Sequence, residues 1–240
     1  MNFQVLSDCH LEFEYDVGKR FIDSFPVEDE YLIIAGDFIA IGRYPNEFAD
    51  RIETLANKYK HVLYVAGNHE YYGSNSNTVN NLINVLDRNI PNFTFLNNSS
   101  IVLDGKKISG CTLWFQESSD SKKYEQYLGD FHRISDIHSF VYKECNKSME
   151  FIRNNLDSDI IITHHMPSKN STPAMYKDSI INCYFVCDME NDILNFKGKW
   201  VHGHTHTPIR YKMGDAEVIC NPMGYPNENK FNYNTKCLVY

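Results

Sequence analysis

The chain has 240 residues, 42% of them hydrophobic and 22% charged, an ordinary globular composition with length enough for one sizeable core. A formal net charge of −8 argues against broad electrostatic binding to nucleic acid or an anionic membrane, and no apolar run approaches the roughly 18 residues of a membrane span. The seven cysteines include no CxxC pair, and the opening MNFQVLSDCHLEFEYD lacks a basic segment followed by a long apolar one, which points to reduced thiols and a cytoplasmic protein.

Taken in chain order, short apolar runs bounded by turn residues read as buried strands, and several run straight into polar residues. FQVLS at 3–7 leads into Asp8-Cys9-His10, YLIIAG at 31–36 into Asp37, and HVLYVAG at 61–67 into Asn68-His69-Glu70. DIIIT at 159–163 leads into His164-His165, and WVHG at 200–203 into His204-Thr205-His206. Between them, Phe48, Ile52, Leu55, Ala56 and Tyr59 repeat at the helical period and predict a helix over 46–59. A longer helix is predicted over 134–156 from Ile134, Ile137, Val141, Cys145, Met149, Ile152 and Leu156. Less regular patterns suggest helices at 78–88 and 179–194. Segments 100–110 and 209–220 read as hairpins turning at Asp104-Gly105 and Gly214-Asp215. Segments 112–134 and 166–179 read as loops around a site, with His132, Arg133 and Lys169 as candidate phosphate contacts and Tyr71-Tyr72 at its mouth. The order predicts an α/β fold of two packed sheets flanked by helices, with the polar strand ends gathered along one edge, where α/β sheets bind ligands.

Those strand ends spell D-x-H (Asp8, His10), G-D (Gly36, Asp37), G-N-H-E (67–70), T-H-H (163–165) and G-H-T-H (203–206). Singly, each is compatible with a turn, a helix cap or a satisfied interior histidine. Together and in this order, they make the sequence resemble the calcineurin-like metallophosphoesterase family over most of its length. The chemistry is consistent with the likeness: two nearby divalent ions neutralise an anionic phosphoester, hold a bridging hydroxide nucleophile and stabilise the leaving oxygen.

The resemblance implies a four-layer α/β/β/α sandwich with two mixed β-sheets, formed by residues 1–240 as a single domain. It further implies a phosphomonoesterase or phosphodiesterase with two divalent or trivalent metal ions, manganese, iron or zinc. One metal would take Asp8, His10, His206 and the bridging Asp37, and the other Asp37, Asn68, His164 and His204. His69 would bind the phosphate or protonate the leaving oxygen, and Glu70, where many relatives carry Asp, would orient His69 or support its loop. His165 and Arg133 are candidate supporting or substrate contacts; His202, His61 and His138 read as structural. Cys9 departs from the usual apolar middle residue of D-x-H, and reads as a small buried filler or, alternatively, an oxidisable thiol. The expected partner is a small phosphoester rather than a membrane. The rival readings are a catalytically silent scaffold and a nuclease acting on short nucleic acids.

Overall fold

The computed structural model describes residues 2–229 and 233–239. In chain order it contains β1 (Phe3–Leu6), α1 (Lys19–Ser24), β2 (Tyr31–Ala35), α2 (Pro45–Ala56), β3 (His61–Val65), α3 (Ser76–Asn89) and β4 (Phe93–Phe95). There follow β5 (Ser99–Leu103), β6 (Lys106–Cys111), α4 (Ser119–Lys123), α5 (Asp130–Arg133), α6 (Ile137–Arg153) and β7 (Ile160–Thr163). The chain closes with α7 (Glu190–Asn195), β8 (Lys199–His202), β9 (Ile209–Met213), β10 (Ala216–Cys220) and β11 (Leu238–Val239).

One sheet runs β11-β1-β2-β3-β4, with β1 to β4 parallel and β11 antiparallel on its edge. The other runs β5-β6-β7-β8-β10-β9, parallel from β6 to β10, with β5 and β9 antiparallel at its two edges. Both sheets are mixed. Their inner faces meet through alternate residues, including Val5, Ile33, Leu63 and Val65 from one and Ile108, Ile160, Ile162, Val201 and Ile219 from the other. The intervening residues face outward into helices. Leu6, Leu32, Ile34 and Tyr64 lie in a cluster with Phe48, Ile52, Leu55, Val79 and Ile83, and Ile161, Trp200 and Val218 in one with Val141, Cys145, Met149, Ile152 and Ile193. Period-two burial on both faces is why these strands read as unbroken apolar runs, and it builds the expected α/β/β/α layers.

The helix over 179–194 is a correction. The segment breaks into a 3-10 turn (Ile180–Tyr184) and α7, because its middle is recruited as extended chain: the Met166 amide donates to the Phe185 carbonyl at 3.1 Å and the Cys187 amide to Met166 at 2.9 Å. The 112–134 loop likewise contains α4 and α5, the former set by a Ser118/Ser121 capping box. Pro45 starts α2 at its first turn, where a missing amide hydrogen costs nothing. No helix among the described residues is long and apolar enough to cross a membrane.

Candidate metal centre

Because β1, β2, β3, β7 and β8 run parallel within their sheets, the residues after their carboxyl ends come together. Asp8 follows β1, Asp37 follows β2, Asn68 follows β3, His164 follows β7 and His204 follows β8. The chain turns sharply there: Asp8 (φ 51°), His10 (φ 46°), Asp37 (φ 50°) and His204 (φ 66°) all adopt left-handed backbone. Each such non-glycine residue costs about 1–3 kcal/mol, a strain that concentrates at functional sites. Backbone hydrogen bonds hold the turns, with the Asp8 amide donating to Gly36 and the His10 amide to Asp37, each at 3.0 Å. Glycine is required beside them. A Cβ on Gly36 would lie 2.4 Å from His164 Nδ1, and one on Gly67 would lie 2.2 Å from Asp37 Oδ1.

The side chains form two groups that share Asp37. In the first, His10 Nε2 lies 3.0 Å from His206 Nε2 and 3.8 Å from Asp37 Oδ2, and Asp8 joins His10 and His206 within 4.8 Å. In the second, His164 Nε2 lies 3.1 Å from Asn68 Oδ1, 3.2 Å from His204 Nδ1 and 3.4 Å from Asp37 Oδ1. Tautomers follow from the far ring atoms. His164 Nδ1 lies 2.9 Å from the Ala35 carbonyl and His206 Nδ1 2.6 Å from a Glu228 oxygen, both acceptors, so both Nδ1 atoms carry hydrogen. In the neutral rings each Nε2 is then a lone pair, and that of His164 faces the Asn68 and Asp37 oxygens. Asp8 Oδ1 accepts from the His204 amide at 2.8 Å, while its buried Oδ2 has no partner.

Such a cluster demands cations. Ligand atoms about 2.1 Å from one ion sit about 3.0–3.4 Å apart, the range spanned by most of these separations. Protons feel the same demand: burial opposes a charged His164, yet the Asp37 and Asp8 carboxylates hold it up at about 10. Burial works to raise Asp37, but the His164, His69 and His10 imidazoles hold it well below the usual carboxylate range. The donor set fits a pair of metal ions.

His69 also comes within 4.8 Å of His10 and Asp37, but it makes none of the shortest contacts of the cluster. Its Nδ1 is 2.9 Å from Glu12 Oε1, its Nε2 is 3.4 Å from the Tyr225 hydroxyl, and its ring stacks on Tyr72 at 4.1 Å. Burial works to lower its pKa, but Asp37 and Glu12 outweigh this and raise it above the ordinary histidine value. Burial works to raise Glu12, but the adjacent His10 and His69 imidazoles outweigh it and hold its carboxyl down to about 2. Glu70 does not touch His69. Its carboxylate accepts from the Asp37, Phe38 and Gly67 amides and the Tyr64 hydroxyl, at 2.7–3.1 Å, so of its two expected roles it takes that of supporting the loop.

His165 packs its ring 4.2 Å from that of His204 and keeps Nδ1 3.3 Å from the Thr112 carbonyl. Arg133 lies over the Tyr72 ring at 5.1 Å and His132 bonds the Gln126 carbonyl. Neither of these nor the exposed Lys169 lines the cavity. His202 pairs with Ser171 and His61 with Thr94, both structural contacts. Cys9 is buried, and burial with nearby Asp8 pushes its thiol well above the ordinary value, which removes the reactive thiolate.

Sequence reading missed four supporting residues. Glu12 orients His69. Asp130 accepts from the Asn68 amide at 2.9 Å and from the Tyr72 hydroxyl, which turns Asn68 Oδ1 toward His164. Glu228 holds His206, and Tyr225 stacks on His10 with ring centroids 4.4 Å apart. Only Glu12, two residues beyond His10, sits close enough to a motif to give a signal.

The strand-end polar residues open into a cavity of about 640 Å³ lined by Asp37, Asn68, His69, His204 and His206 on its floor. A layered α/β/β/α fold with two acid–imidazole groups sharing one aspartate defines a metal-dependent phosphoesterase. The sequence profile of the calcineurin-like phosphoesterases matches residues 1–208, and the chain belongs to that family. A protein of Acanthamoeba polyphaga mimivirus, L509, is 29% identical over 265 residues, covering 95% of this chain and 92% of the viral one. The solved phosphopantetheinyl hydrolase of Mycobacterium tuberculosis superposes with a TM-score of 0.73 at 16% identity, over 99% of this chain and 94% of that one. A dimetal phosphatase from Danio rerio gives a TM-score of 0.52 at 14% identity, over 92% and 86%. At these identities the two structures share the fold.

Proposed function

We propose that residues 1–240 act as one cytoplasmic domain that hydrolyses phosphomonoesters or phosphodiesters with two metal ions bridged by Asp37. Asp8, His10 and His206 would complete one ion's ligands, and Asn68, His164 and His204 the other's. Imidazole, carboxylate and amide oxygen, with no thiolate, suit manganese, iron or zinc. The observation that carries this reading is the convergence of Asn68 Oδ1, His204 Nδ1 and Asp37 Oδ1 within 3.1–3.4 Å of His164 Nε2, so that two acceptor oxygens face the lone pair that atom carries in the neutral ring.

When bound, the metal pair offsets the phosphoryl charge and generates the nucleophile from water at neutral pH. Asp37 presents one oxygen to each group, Oδ1 toward His164 and Oδ2 toward His10. Asn68 contributes an oxygen without further negative charge, its amide turned by Asp130. Glu12 accepts from His69 Nδ1, so the transferable proton of the imidazolium sits on Nε2, at the cavity. From there His69 protonates the leaving oxygen as it departs. The test is an aryl phosphate assay with added manganese, iron or zinc, alongside metal analysis of His69→Ala. Turnover should fall about 10²–10⁴-fold with metal content unchanged. A metal-stripped His69→Ala protein contradicts the division of roles.

A further inference from the structure

We infer that the substrate carries a single phosphoryl group on an extended, uncharged apolar or aromatic group, an inference that rests on the two-metal reading above. Beyond the polar floor, Leu128, Met166, Met175, Ile181 and Phe185 form most of the cavity wall, interrupted by the neutral Thr172, Ser179, Asn182 and Thr207. Phe185 reaches the floor itself, its ring 4.7 Å from that of His204. Outward, large apolar side chains of the wall meet water: Met175 is 80% exposed and Tyr176 53%. Large apolar side chains grouped at a cavity mouth mark a surface that is covered in function.

Charge sets the rest. With two divalent ions, the carboxylates of Asp8 and Asp37 and a hydroxide nucleophile would leave about one positive charge, which a single phosphoryl group offsets and a diphosphate exceeds. Past the floor, the charged groups facing the cavity are the carboxylates of Asp130 and Glu228, and no lysine or arginine lines it among the described residues. A second phosphate, as in a pyrophosphate or nucleoside diphosphate, would find no cationic side chain there, only carboxylates and neutral groups. An alkyl or aryl group would instead cover Met175, Tyr176, Ile181 and Phe185.

The experiment uses the metal-loaded full chain and two homologous series: n-alkyl phosphates and n-alkyl 4-nitrophenyl phosphates, methyl to hexyl, with pyrophosphate and ADP as comparisons. In whichever series turns over faster, kcat/KM should rise about two- to fourfold per methylene, and pyrophosphate and ADP should fall below the hexyl ester. The double variant Met175→Gln/Ile181→Gln should flatten the slope against chain length, the slope rather than the absolute rate being the readout. A flat wild-type series, or ADP turned over faster than the hexyl ester, overturns the substrate class while leaving the phosphoesterase reading intact. Failure to cleave any ester with manganese, iron or zinc overturns both.

Discussion

Glu12→Gln isolates one charge next to the candidate proton donor. Glu12 Oε1 lies 2.9 Å from His69 Nδ1, and the two side chains are only 7% and 6% exposed, so water screens the pair little. Glutamine keeps the shape and an acceptor oxygen but removes the charge. An adjacent opposite charge typically moves a pKa by about one to three pH units, and Asp37 still acts on His69 in the variant. A donor must be protonated, so kcat/KM falls as pH rises through its pKa. Lowering that pKa moves the fall to lower pH. Nearby cations lower the pKa in both proteins and leave the difference between them. The expected result is an alkaline limb displaced downward by about one to three pH units, hence about 10–10³-fold slower turnover well above it. The assay is the pH profile of kcat/KM for an alkyl phosphate, whose leaving alkoxide needs the proton. The same comparison with a 4-nitrophenyl ester, a far better leaving group, should show a smaller loss. Coincident alkaline limbs for wild type and Glu12→Gln with the alkyl substrate would refute the assignment of His69 as donor.

Two further substitutions probe the scaffold of the centre. Gly67→Ala places a methyl 2.2 Å from Asp37 Oδ1 and 2.7 Å from His164 Cε1, so manganese affinity by calorimetry should drop at least about tenfold while circular dichroism shows a retained fold. Asp130→Ala removes the acceptor of the buried Tyr72 hydroxyl and leaves the Asn68 amide only its 3.3 Å bond to that hydroxyl, which should cost about 1–3 kcal/mol in urea unfolding and weaken metal binding about 10–100-fold. Unchanged metal affinity in Asp130→Ala would show that Asn68 needs no such orientation.

The layers and the floor of the site were legible because the same residues signal both. Strands buried on two faces write continuous apolar runs, and parallel strands leave their polar successors on one edge, as at Ala35-Gly36-Asp37 and Val65-Ala66-Gly67-Asn68. Helices α2 and α6 were legible from their apolar stripes, although the stripes overran the helices, which span Pro45–Ala56 and Ile137–Arg153. The segment around 185–187 was not, since Ile180, Ile181, Tyr184 and Phe185 fall near a helical period while backbone pairing with Met166 decides the conformation. Nor was β4, whose three residues depend on pairing with β3. Asp130 opens α5, and Tyr225 and Glu228 lie beyond β10, each outside the motifs that hold Asn68, His10 and His206. Their roles exist only once the fold has brought them there, which no local pattern records.

Metal content measured by plasma mass spectrometry after loading and removal of free ion tests the centre most directly. Two ions per wild-type chain are predicted, with Asp37→Ala retaining fewer than one and losing turnover. An Asp37→Ala chain that still binds two ions, or a wild type that binds none, contradicts a centre built around that carboxylate.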